Sequence, residues 1–356
     1  MYLNILNLVR ICFVGKESNI NEYVEDEYGL FKVDQAEKDA DITIEFINDI
    51  SADSQSIRVR PPVACDEEGV FFHDHNYRVL RIDTEKIGIT NFRVTCDADF
   101  NKHFFVIIME YLIHHLILES GHYFCHASAF IYDGKTILCP AWRHVGKTNI
   151  LLAFMKEGAQ YLGDDWVIIN KDGLIISMPK RLNLLFYNFR EYPELCNHLD
   201  EDFKSLFNFV NKAETGLYDL DNSTLSMLTE KARLRISPFE IFKQVYNNKM
   251  VEIDYIFLLR RKFHSKPNIN KISLDDLTIA TKSIIEFEQS HFHLYYLAYK
   301  AHNCSVNKYL EESQSELSSL IENSFSSIHN LYEITITSQH ESLIVKEFIE
   351  KAIGCK

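Results

Sequence analysis

Between residues 125 and 166 the chain gathers the side chains that phosphoryl transfer needs: a phosphate cradle, a cation, a hydroxyl and carboxylates. The run Ala141-Trp142-Arg143-His144-Val145-Gly146-Lys147-Thr148 has the A-x-x-x-x-G-K-T form of a phosphate-binding loop. In such a loop, consecutive backbone N–H groups and the N-terminus of the following helix point at one anion. Gly146 permits the backbone geometry, Lys147 would reach the β- and γ-phosphates, and Thr148 would place a hydroxyl on Mg²⁺. All eight residues from Ala141 to Thr148 are therefore candidate nucleotide contacts. Trp142, Arg143, His144 and Val145 stand where small residues are usual. Arg143 and His144 either add phosphate contacts or, through their bulk, restrict the loop.

Asp164 and Asp165 lie 17 and 18 residues after Lys147. A carboxylate at the end of a strand beside the loop is placed to hold Mg²⁺ or to take a proton from an attacking hydroxyl. His126 lies 15 residues before Ala141, on a strand whose partner runs into the loop. Its side chain could approach the γ-phosphate or an aspartate.

The elements that must position these groups are legible around them. Apolar runs at 123–132 and 136–139 flank Asp133-Gly134, the dipeptide most diagnostic of a tight hairpin. The second strand feeds the loop, a helix over 148–157 follows, and Gly158 ends it. Strands are expected at 161–162, 167–170, 174–178, 256–259 and 332–336. Helices are expected near 102–119, 202–212 and 224–234, through much of 275–325, and at 340–352. Residues 1–98 show period-two alternation, as in Asp41-Ile-Thr-Ile-Glu-Phe-Ile47, and read as an antiparallel sheet. The expected organisation is an N-terminal β-rich region, 1–98, followed by a nucleotide-binding catalytic domain, 99–356.

The succession His126-Ala-Ser, strand, Asp133-Gly134, strand, G-K-T loop, helix, Gly158 and Asp164-Asp165 resembles the catalytic domain of the HPr kinase/phosphorylase family. Its layout is similar to the broader HPr kinase-like proteins, some of which phosphorylate serine in ribosomal peptides. The specific match covers about residues 122–170. The resemblance implies an α/β fold with a P-loop kinase core of the HPr kinase/phosphoenolpyruvate carboxykinase type. It implies that Asp165 is the general base toward the acceptor hydroxyl, that His126 assists at the phosphate, and that Lys147 and Thr148 serve nucleotide and Mg²⁺. Thr148 and Asp164 are the candidate metal ligands, and Asp164 also stands with His126, Lys147 and Asp165 among the candidate catalytic residues. The family's loop is richer in glycine, and its His-Gly pair is His126-Ala127 here. Glu191 is the candidate by position for the family's further metal-binding glutamate.

The expected activity is an ATP- (or GTP-) and Mg²⁺-dependent phosphotransferase acting on a serine-type hydroxyl of a peptide or protein. One rival is a nucleotide-binding accessory protein without transfer; another is a kinase for a small hydroxylated metabolite. A net charge of −14 speaks against nucleic acid as a partner. The most apolar stretch, 104–118, contains Glu110, His114 and His115 and is too short for a membrane span. Eight cysteines without a C-x-x-C pair fit reduced thiols in a cytoplasmic protein. A homo-oligomer is left open. His73-Asp74-His75 and His291-Phe292-His293 have metal-compatible spacing but no evident third ligand.

Overall fold

The computed structural model describes residues 1–34, 40–48, 50, 57–60, 63–66, 69–74, 78–89, 91–214, 228, 232–247, 249–262, 266–337 and 341–355. Two compact units emerge: Met1–Phe124 with Ile285–Ile321, and Cys125–Ile284 with Glu322–Lys356. Both combine helices with a large mixed sheet.

In the first unit the strand order is Lys32–Val33, Tyr2–Ile5, Val9–Gly15, Ile42–Ile47, Phe92–Asp97, Val79–Ile82, Val70–His73, Val63–Cys65 and Ile57–Arg60. The alternation read in 41–47 appears as alternating burial along Ile42–Ile47. The expected antiparallel pairing holds toward both edges of the sheet. Its centre differs, because Val9–Gly15, Ile42–Ile47 and Phe92–Asp97 are parallel. Alternation reports a covered face and says nothing about the direction of the neighbouring strand. A parallel pair needs a crossover, and the Asn19–Tyr28 helix supplies the first, capped where the Ser18 side chain accepts from Ile20 N–H. The Lys102–Glu119 helix packs here too: the Phe105 ring lies 6.5 Å from Phe13 and 6.0 Å from Phe46. Among the described residues, no helix is long and apolar enough to cross a membrane.

The proposed metal spacings gain no support here. His75 and the side chain of His291 lie outside the described residues, and Asp74 accepts from the backbone N–H groups of Arg78 and Asn101. The helix expected near 224–234 also falls mostly outside them; its last residue belongs to a strand, Leu234–Ile236.

In the second unit the order is Met250–Glu252, Leu174–Ile176, Trp166–Asn170, His122–Tyr132, Lys135–Pro140, Tyr255–Arg261, Leu331–Ile336 and Asn268–Lys271. Gln160–Gly163 also pairs with His122–Tyr132. Asp133 and Gly134 both take positive φ, 49° and 69°, as a two-residue hairpin turn with the twist of its strands demands. The register pairs Ala127 with Pro140, so His126 lies alongside the mouth of the loop. Lys135–Pro140 then runs parallel to Tyr255–Arg261, which is parallel to Leu331–Ile336.

The helix after the loop, Lys147–Lys156, is apolar toward this sheet, with Phe154 fully buried and stacked on Phe130 at 4.6 Å. The C-terminal helix Ser342–Ile353 lies against it, and Lys346 joins Glu157 at 2.7 Å and Glu350 at 2.8 Å. Phe154→Ala removes a ring from the centre of this layer. It is expected to cost about 3–5 kcal/mol, read as a lower urea midpoint for the unit at an unchanged slope.

Candidate functional site

The loop begins at Ala141, which is buried and bridged in parallel to Leu259; its N–H donates to the His126 carbonyl at 3.1 Å. His144 and Gly146 take positive φ, 59° and 114°. For Gly146 this left-handed geometry is the N-cap of the Lys147–Lys156 helix, where a Cβ would be strained. Val145 is buried and anchors the loop, while the side chains of Trp142, Arg143 and His144 are exposed.

Five of the residues singled out in the sequence come together behind this loop. Thr148 Oγ1 donates to Asp164 Oδ2 at 2.8 Å. Lys147 Nζ lies 3.1 Å and 3.3 Å from the two ring nitrogens of His126, close to both at once. His126 Nδ1 sits 2.7 Å from the Ala141 carbonyl oxygen, and its Nε2 sits 3.0 Å from Asp165 Oδ1. Both nitrogens therefore face oxygen acceptors. The Trp166 ring meets the imidazole edge-on at 5.2 Å and closes another side.

The adjacent acids occupy opposite environments. Asp165 has a φ of 69°, a left-handed conformation that aspartate tolerates better than most residues, and its carbonyl accepts from Ala127 N–H at 3.1 Å. This bend sends the two carboxylates different ways. The Asp165 side chain is 52% exposed, whereas Asp164 is only 6% exposed. Burial and the charge of Asp165 push the Asp164 carboxyl up to about 6, against the opposing pull of Lys147 and the Thr148 hydroxyl. Burial also raises Asp165, but the His126 hydrogen bond and the charges of His126, Lys147 and Lys180 hold it well below the usual carboxylate range.

Asp164 Oδ1 is buried and accepts no hydrogen bond. A charged oxygen in that state is costly, and a cation beside it relieves the cost. The nearest hydroxyl is that of Thr148. One carboxylate and one hydroxyl, with phosphate oxygens and water completing the shell, suit Mg²⁺, which seldom takes an all-protein cage.

Reading the sequence did not single out Lys180 or Asn149. Lys180, 7% exposed, follows Met178 in a tight turn and acts electrostatically on Asp165. Its only signal was the basic pair in Pro179-Lys180-Arg181. Asn149 is fully buried, and its signal was a polar residue directly before the apolar run 150–155. Glu191 carries hydrogen bonds from Asn149 and Ser342.

No protein-family model matches this chain, and no curated protein matches it.

The two aspartates should pull stability in opposite directions with pH. Asp164 has its folded value raised above the ordinary 3.8, so its contribution is full below about pH 4 and is lost as pH rises through about 6. Asp165 has its folded value lowered, so its contribution is present above about pH 4 and is lost as pH falls further. Asp164→Asn keeps an acceptor for Thr148 and removes the buried charge. In EDTA at pH 7 this variant is expected to be more stable than wild type by on the order of 2 kcal/mol, with a flatter profile between about pH 4 and 6. Urea unfolding across that range is the measurement, and a less stable variant would contradict this account of Asp164.

Proposed function

We propose that the chain is an ATP- and Mg²⁺-dependent phosphotransferase that phosphorylates a serine-type hydroxyl of a peptide or protein. The observation that carries this reading is Asp164: buried, hydrogen-bonded to the loop threonine, and left with one oxygen unsatisfied. A phosphate loop used only for structure has no need of such a carboxylate. The resemblance of residues 122–170 to HPr kinase-like proteins supports the same reading.

In this reading the backbone N–H groups of the loop and the N-terminus of its helix bind the phosphates. Lys147 balances charge on the transferred group, and Thr148 and Asp164 hold Mg²⁺. Bound Mg²⁺ neutralises charge on the phosphate oxygens and aligns them for displacement. Asp165 is ionised at neutral pH and exposed enough for an acceptor to reach. It orients the hydroxyl and takes its proton as the hydroxyl oxygen bonds the γ-phosphorus and the bond from that phosphorus to the departing ADP breaks. His126 fixes Asp165 from behind, itself anchored on the Ala141 carbonyl. A loose transition state asks little of the base, so strong basicity is not required of Asp165. Positioning and electrostatics supply most of the acceleration.

Lys147→Ala and Asp165→Asn are each expected to lower transfer from ATP to serine-containing acceptor peptides by about 10²–10³-fold or more. Radiolabel transfer under conditions where wild type turns over is the test, and undiminished transfer in both variants would refute the assignment. If wild type shows a nucleotide-induced rise in Tm but transfers to no acceptor, it is a nucleotide-binding accessory protein instead.

A further inference from the structure

Asn149 directly follows Thr148 and is fully buried on a helix whose other buried residues after it are all apolar. An amide in such a position is tolerated only when its donors and acceptor are used. Here Asn149 Oδ1 accepts from Asn188 Nδ2 at 2.5 Å, and Asn149 Nδ2 donates to Glu191 Oε1 at 3.0 Å. The Asn149 carbonyl also accepts from the Tyr192 hydroxyl at 2.8 Å. Glu191 Oε2 accepts from Ser342 Oγ at 2.6 Å, and the Tyr192 and Ser342 hydroxyls lie 3.3 Å apart. Asn188 is itself oriented, because its Oδ1 accepts from Leu185 N–H at 2.6 Å. The result is a closed polar ring, buried at Asn188, Tyr192 and Ser342 as well. It ties the first turn of the loop helix to the Phe186–Glu191 helix and to the start of the Ser342–Ile353 helix.

We infer that this ring positions the Thr148 hydroxyl for Mg²⁺, with Asn149 and Ser342 as positioning residues that touch neither metal nor nucleotide. Thr148 and Asn149 share one helical turn, so a rotation that frees the Asn149 amide also swings the Thr148 hydroxyl away from Asp164. Asn149 grips the far side of that turn through both its side chain and its carbonyl. Ser342 completes the hold by occupying the second oxygen of Glu191, so that this carboxylate stays turned toward Asn149. Residues distant in sequence thus set the geometry of the hydroxyl and carboxylate pair, as outer partners do at metal sites generally.

The inference rests on the proposed Mg²⁺-nucleotide reading, and the two are separable by titrating Mg²⁺ against the thermal shift produced by ADP. Ser342→Ala and Asn149→Ala are expected to raise the Mg²⁺ midpoint by about 10-fold. A shift produced by ADP in EDTA should persist in both variants, since neither removed side chain touches the nucleotide. Ser342→Thr keeps the hydroxyl and should titrate like wild type. A merely structural role would lower Tm without moving the Mg²⁺ midpoint. Should Asn149→Ala fail to fold, Ser342→Ala, at the edge of the ring, carries the test alone. An unchanged midpoint in Ser342→Ala, with wild type Mg²⁺-dependent, overturns the inference and leaves the reading standing. If the wild-type shift ignores Mg²⁺, the reading fails and takes the inference with it.

Discussion

Putting a carboxylate under a helix N-terminus and away from water is the costly act on which the second unit is organised. The field of Lys147, the Thr148 hydroxyl and the Asp165 backbone N–H favour the ionised Asp164, and these only partly offset what burial takes away. For that arrangement to exist, the strand entering Asp164 must lie one strand away from the strand that leads to the loop. The sheet order achieves this by placing Gln160–Gly163 and Trp166–Asn170 on the long His122–Tyr132 strand, whose other neighbour is Lys135–Pro140. A left-handed residue at 165 then turns the chain sharply enough for the next carboxylate to leave the interior.

This bend separates two acids that are neighbours in sequence and nearly identical in chemistry. One is driven toward neutrality by burial; the other is held ionised by an imidazole and two lysines. Environments that push paired titratable groups apart are how a site divides labour between like residues. Here the division leaves one acid buried beside Thr148 and the other ionised at the surface, as the proposed phosphotransfer would use them. His126 belongs to both halves, since it braces Asp165 while its other nitrogen is fixed by the backbone at the mouth of the loop. The packing beneath supports this: Phe154 on Phe130 sets the depth of the loop helix, and the polar ring around Asn149 sets its rotation.

Much of this could be read along the chain wherever it depended on local geometry. Asp133-Gly134 announced the hairpin because few dipeptides accept two positive φ values, and Gly158 marked the helix end for a related reason. The G-K-T run located the loop, since phosphate binding by backbone N–H groups needs a strand, a turn and a helix in immediate succession. The parallel centre of the first sheet was not legible. Its strands alternate as antiparallel ones do, and the direction of a neighbour is set by a crossover and not by the strand's own residues.

His126, Lys147, Thr148, Asp164 and Asp165 were identifiable from residue type and spacing, and the sequence by itself determined that they would share one neighbourhood. Residue type and spacing left either aspartate able to hold a metal or take a proton, and only the resemblance pointed to Asp165 as the base. Tertiary structure decided their exposure: with a positive φ at Asp165, Asp164 lies inside and Asp165 outside. It also decided that Ser342 braces Asn149 through Glu191. No local pattern encodes such a contact, since it exists only once the C-terminal helix has packed on the helix of the loop.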